Sequence, residues 1–144
     1  MKRYLMPYLI SVLAVVGVVV SALALQVHYS TSVQACSINE KWDCGIVNHS
    51  PFADIAGMPV AIVGIAGYLA LAGLALARQR ALVFLATLVG LGFALRLTFI
   101  EEYVLMVWCL YCVISQVVIG LITCLSFGWL ATEYIALKRA NPKA

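Results

Sequence analysis

Four stretches of this chain are so long and so apolar that lipid is the medium they fit, and that constraint governs the rest. They run from about Pro7 to Val27, Pro59 to Ala77, Ala81 to Ile100 and Cys109 to Tyr134. A hydrocarbon core of about 30 Å takes about 20 residues of helix to cross. Lipid offers no partner to an exposed backbone N–H or C=O, and nothing in these runs alternates as a barrel strand does. Each must therefore close its hydrogen bonds within itself, as a helix. Composition agrees: the chain is 65% hydrophobic and 10% charged, against roughly 45 to 50% apolar in soluble domains. The expected fold is an all-α membrane protein, a four-transmembrane-helix bundle forming one domain over residues 1–144.

Charge orients the bundle. Lys2 and Arg3 precede the first run, Arg78 and Arg80 join the second to the third, and Lys138, Arg139 and Lys143 follow the fourth. The other two connections carry Glu40, Asp43, Asp54, Glu101 and Glu102 against Lys41. By the positive-inside rule both termini are cytoplasmic, and the long loop of about 28–58 and the short turn near Glu101 to Val107 face outward. The Met-Lys-Arg start and the Ala22-Leu23-Ala24 triplet also resemble a secretory signal. The apolar run of about 20 residues exceeds the usual 7 to 15 of such signals, so the segment reads as an uncleaved first helix.

Within this frame the Cys-x-x-Cys of Trp108-Cys109-Leu110-Tyr111-Cys112 stands at the outer mouth of the fourth run. Residues three apart on a helix are neighbours, so both sulfurs lie on one face of the first turn. Free backbone N–H groups and the positive end of the helix dipole favour a thiolate there. Cys36 and Cys44, with seven residues between them, lie in the outer loop and share that compartment. Four cysteines where disulfides persist make two pairs able to exchange. Cys124 lies about 22 Å further down the helix at 1.5 Å per residue and reads as a packed apolar side chain.

The outer loop is long enough to be functional or disordered, and Trp42 and Phe52 with several Ile and Val favour a loop folded over the helix ends, capping the site. Ser50-Pro51 can open a short helical turn, and Gly57-Met58-Pro59 reads as a turn that launches the second helix with Pro at its first position. His28 reads as an interfacial ring, Gly64 and Gly67 as a close helix contact, and Tyr68 as packing. Ser115 and Gln116 read as interhelical hydrogen bonders. Arg96 reads as snorkelling to lipid phosphate or pairing with Glu101 or Glu102.

A water-facing pair and a membrane-facing pair suit a relay from a soluble dithiol to an apolar two-electron acceptor, for which a quinone is the natural choice. The pattern resembles the vitamin K epoxide reductase family and its bacterial homologues over nearly the whole chain. The resemblance is carried by Cys36 and Cys44, Ser50 six residues on, the Gly57-Met58-Pro59 turn and the Trp-Cys-Leu-Tyr-Cys of 108–112. It implies that Cys36 meets a thioredoxin-like (DsbA-like) protein on the outer side and that Cys44 passes electrons to Cys109. Cys112 would attack or contact the quinone, of menaquinone, ubiquinone or vitamin K type, and Ser50 would hydrogen-bond a quinone oxygen. The family's tyrosine four residues after Cys112 is Gln116 here. Its asparagine near the start of helix 2 has no match at Val60 or Ala61, with Asn48 or His49 as substitutes. Many bacterial members carry a fused thioredoxin-like domain; this chain ends at Ala144, so its partner is expected to be separate and its setting the bacterial cytoplasmic membrane.

Other protein classes fit parts of this pattern. In the DsbB-type disulfide oxidases the Cys-x-x-Cys lies in the first outer loop and the wide pair in the second, the reverse of the order here. A zinc site of Cys36, Cys44, Cys109 and Cys112 is chemically reasonable, but structural zinc pairs are spaced by two to four residues rather than seven. A packing protein with two inert disulfides is the remaining alternative.

Overall fold

The computed structural model describes residues 2–32 and 36–142; Lys143, counted above among the inward charges, lies outside them. Helix α1 covers Lys2–Tyr29, α2 Cys44–Asn48, α3 Val60–Leu76, α4 Arg80–Ile100 and α5 Leu110–Ala140. A 3₁₀ turn at Pro51–Ala53 and a hairpin of β1 (Asp54–Ile55) and β2 (Met58–Pro59) lie between α2 and α3. Helix α4 runs on as a π-helical turn, Glu101–Leu105. By length and composition α1, α4 with its continuation, and α5 are able to cross a membrane, while α3 is equally apolar but has 17 residues. The protein is an integral membrane protein. Apolar side chains cover its outside, among them Val12, Val15, Val19, Leu85, Val89, Val117 and Leu121, as lipid-facing helices require.

Helix α3 is shorter than the 59–77 run because both ends are diverted. Proline lacks an N–H, and Pro59 is drawn into the hairpin opposite Asp54, so it precedes the helix rather than opening it. The hairpin turns through Ala56 and Gly57, both at positive φ, a conformation that suits Gly. At the other end Arg78 takes φ 58° and stops the helix. Helix α5 starts one residue later than the apolar run because Cys109 is extended and caps it.

Helix α1 packs on α3 and α5, and α4 on α5. The mid-bundle core joins Ile10, Ala14, Tyr68, Leu71, Ala75, Val83, Val118, Ile119, Ile122 and Trp129. Small residues bring α1 and α3 together. A Cβ on Gly64 would sit 2.8 Å from the Ser21 hydroxyl, whereas one on Gly67 would meet nothing within 4 Å, so of the two glycines Gly64 makes the close contact. Gly17 lies directly under the Tyr68 ring, which is buried and tethered by its hydroxyl to Ser115. Gly17→Ala should therefore push Tyr68 aside and destabilise the bundle by about 1–3 kcal/mol, seen as a lower thermal unfolding midpoint in detergent; an unchanged midpoint would contradict this packing.

The basic end of the bundle is pinned by Arg80, 3.0 Å from Glu133 and over the Trp129 ring, and by Arg78 over Tyr4. Gln116 is hydrogen-bonded to Thr98, joining α5 to α4 as expected. Arg96 differs from expectation: it is exposed and makes no ion pair among the described residues, because Glu101 turns inward instead. Cys124 differs as well. It is exposed on α5 rather than packed.

Candidate functional site

The outer loop is folded by its own polar residues. Asp43 caps α2, its Oδ1 accepting from the N–H groups of Gly45 at 2.8 Å and Ile46 at 3.2 Å and from the Ser37 hydroxyl at 2.9 Å. An N-cap carboxylate satisfies the free N–H groups of a helix start. The loop is then stitched to the segment before α5. Trp108 N–H donates to the Lys41 carbonyl at 2.7 Å, Asp43 N–H donates to the Trp108 carbonyl at 3.1 Å, and the Trp42 and Trp108 rings lie 6.1 Å apart. This short parallel bridge pairs Trp42 with Trp108 and so brings Cys44, two residues after the one, close to Cys109, next after the other.

The result is a second buried cluster of Val27, Cys36, Cys44, Val47 and Cys109, with Tyr111 and Cys112 packed against it. Cys36 and Cys44 form a disulfide, and Cys109 and Cys112 are free thiols. Cys109 caps α5, its sulfur accepting from the Cys112 N–H at 3.4 Å. The Asn48 amide donates to the Cys44 carbonyl at 2.9 Å and to the Cys109 sulfur at 3.5 Å, touching both pairs. His28, beyond the interfacial role expected of it, binds the Asn48 carbonyl at 2.6 Å and approaches Asp54 at 3.7 Å, tying the loop to the end of α1. Ser50 donates to the Val47 carbonyl at 2.7 Å, ahead of the 3₁₀ turn that Pro51 opens.

Hydrogen bonding from the Cys112 thiol, helped by the Cys112 N–H and the Asn48 amide, holds the Cys109 thiol below its ordinary range, against burial and the nearby Glu101 charge. Asn48→Ala removes one of these donors, so the Cys109 pKa rises and less thiolate is present at neutral pH. The pH midpoint for alkylation of Cys109, followed by mass spectrometry, should move upward; a midpoint that stays put would mean that Asn48 does not act on the sulfur.

A cavity of about 400 Å³ opens between the four long helices and the loop, within the range of sites that hold small organic ligands. Its walls are apolar, from Val20, Ala24, Val60, Leu71, Phe93 and Leu97 among others, with a few convergent polar groups: Asn48, Ser50, Tyr68, Thr98, Ser115 and Glu101. Cys112 lines it, whereas Cys109 belongs to the loop cluster and is fully buried. The two sulfurs of the Cys-x-x-Cys thus look in different directions. Tyr68 is both packing and wall.

Glu101, read from the sequence as a charge of the outer turn and a possible partner of Arg96, is instead buried at the site. It is 3% exposed, and its Oε2 accepts the Cys109 N–H at 3.1 Å. The π-helical turn and Met106, at φ 55°, fold it back, with the Val107 N–H bonding the Glu101 carbonyl at 3.2 Å. Among the described residues there is no cluster of three or more potential metal ligands.

Apolar membrane helices with one oxidised and one reduced cysteine pair gathered at one end define an integral membrane thiol–disulfide protein. The chain belongs to the vitamin K epoxide reductase family, whose sequence profile matches residues 8–127, a stretch that holds all four of these cysteines. Membership makes it an oxidoreductase. No curated relative matches the chain.

Proposed function

We propose that this protein is a quinone-linked thiol–disulfide oxidoreductase that supports disulfide formation outside the cytoplasm, with four membrane spans, both termini cytoplasmic and the loop capping the site. Residues 1–144 act as one domain; Cys36, Cys44, Cys109 and Cys112 are the redox residues, and Ser50, Asn48 and Cys112 face the acceptor. The observation that carries this reading is the division of labour within the Cys-x-x-Cys: Cys109 packs with Cys44, while Cys112 lines the apolar cavity.

The electron balance follows. A thioredoxin-like dithiol reduces the Cys36–Cys44 disulfide and is itself oxidised. The new thiols reduce a Cys109–Cys112 disulfide by exchange, which restores the loop disulfide and leaves two thiols on α5. A bound quinone supplies an acceptor for two electrons and two protons. The chain's own part is to orient the sulfurs, exclude water and hold protons. Both amide hydrogens of Asn48 are engaged, so Asn48 offers the cavity an acceptor oxygen and serves Cys109 as a donor. Ser50 can turn its hydroxyl from Val47 toward the cavity at the cost of one neutral hydrogen bond, about 0.5–1.5 kcal/mol.

The cavity's volume, about 400 Å³, suits a small organic ligand, and the basic residues grouped at the opposite end support the orientation. Purified protein under anaerobic conditions should consume quinone absorbance when given a small dithiol. No consumption with either a ubiquinone or a menaquinone analogue would overturn the proposal.

A further inference from the structure

We propose that Glu101 takes up the Cys112 thiol proton when the Cys109–Cys112 disulfide forms; this rests on the redox reading above and deepens it. Among the described residues lining the cavity, Glu101 is the one carboxyl group. Burying a carboxylate costs several kcal/mol unless hydrogen bonds repay it. Only half of this one is repaid. Oε2 is held by the Cys109 N–H, but Oε1 is buried with no partner in hydrogen-bond geometry. Arg96, the nearest basic residue in the sequence, makes no ion pair with it. The thiol of Cys112, beside it on the cavity wall, is within interaction range of the carboxyl. A buried polar atom left open in this way calls for an explanation, and an oxygen that receives a proton during the reaction is one.

The geometry also makes the placement specific. The bond that anchors Glu101 is donated by the residue whose sulfur becomes the other half of the disulfide. One carboxyl is thus bonded to the backbone N–H of Cys109 and lies within interaction range of the Cys112 thiol, in a position set by the π-helical turn. In the step itself the Cys112 S–H bond breaks, the proton goes to Oε1 and the sulfur keeps the electron pair. Cys109 enters as its thiolate. As the S–S bond forms, two electrons leave to the two-electron acceptor. The acceptor also ends with two protons: one is relayed from Glu101, which regenerates the carboxylate, and the other comes from solvent and replaces the proton that Cys109 released to solvent on forming its thiolate.

The test needs no quinone. Fully reduced protein in detergent is oxidised with diamide, a small two-electron oxidant, and the Cys109–Cys112 disulfide is followed by mass spectrometry. Glu101→Gln keeps an oxygen for the Cys109 N–H but cannot take a proton. It should form the disulfide on the order of 10²-fold more slowly, within the range that positioned proton transfer contributes. Glu101→Ala should be equally slow, and added formate, small enough to enter the vacated space, should restore much of the rate. A purely structural role would not respond to formate. Should the Ala variant fail to fold, Glu101→Asp against Glu101→Gln carries the same contrast, with the carboxylate expected to be the faster.

Wild-type oxidation rates in Glu101→Gln, or a slow Ala variant indifferent to formate, would overturn the assignment. A parallel quinone assay separates the two levels of the account. Loss of quinone turnover in Cys112→Ala with normal Glu101→Gln removes only the role of Glu101. Normal turnover in Cys112→Ala removes the redox reading beneath it.

Discussion

Cys112→Ala should lose quinone reduction by on the order of 10³-fold or more, the scale on which enzymes fail when a covalent nucleophile is deleted. The reason is geometric. Cys112 is the sulfur on the cavity wall, while Cys109 is fully buried and packed with the loop pair. Without Cys112 the helix pair cannot close a disulfide, and Cys109 has no path of its own to the cavity. The substitution removes a half-buried side chain of modest size, so the fold should survive, and the Cys36–Cys44 disulfide should still form. Quinone absorbance followed anaerobically with a small dithiol reads the first effect, and disulfide mapping reads the second. Normal turnover in this variant would mean that electrons leave the protein elsewhere.

Cys36→Ala should separate the two ends of the relay. Turnover driven by a thioredoxin-like dithiol protein should fall to background, because the disulfide that such a partner attacks no longer exists. A small dithiol should remain partly effective, since it can reach the Cys109–Cys112 pair through the cavity. Cys36 is itself buried beside Val27 and Cys44, so a protein partner gains access only when the loop parts from the end of α1. The comparison is made by driving Cys36→Ala and the wild-type protein with protein and small-molecule dithiols at matched concentrations. Equal loss with both reductants would show that Cys36 serves the internal exchange rather than the entry of electrons.

Much of this architecture was legible because lipid leaves a chain few choices. The apolar runs could only be helices, and the basic residues marked one end, where Arg80 pairs with Glu133 and Arg78 lies over Tyr4. The cysteines were legible as a set because the charge pattern assigned Cys36, Cys44, Cys109 and Cys112 to one end of the bundle, where they do gather. What held them together was less so. Trp42 and Trp108 stand two and one residues before a cysteine, a signal in plain view, yet the backbone bridge between them is made by N–H and C=O groups that every residue carries. Asn48, singled out for a quinone, also bonds the Cys44 carbonyl and the Cys109 sulfur through its amide nitrogen, a tie that no sequence pattern announces.

Glu101 was hidden for a different reason. Beside Glu102 in a short outward turn it looked like a solvated charge, and Arg96 offered it a ready partner. Nothing local announces that α4 widens into a π-helical turn or that Met106 adopts a left-handed conformation. Those two departures carry the carboxyl inward to the start of α5. Cys124 shows the converse: depth along a helix is readable from residue count, but the face that it presents depends on which neighbours pack there, and here none covers it.

The central claim is that electrons reach the acceptor from Cys109 and Cys112 and are replenished from Cys36 and Cys44. It is tested most directly by mixing fully reduced protein with one equivalent of quinone under anaerobic conditions, quenching in acid and mapping disulfides over time. The account predicts that quinone absorbance falls in step with a Cys109–Cys112 disulfide, and that a Cys36–Cys44 disulfide follows as the first is exchanged away. A Cys36–Cys44 disulfide that forms first, with Cys109 and Cys112 still reduced throughout, would contradict it.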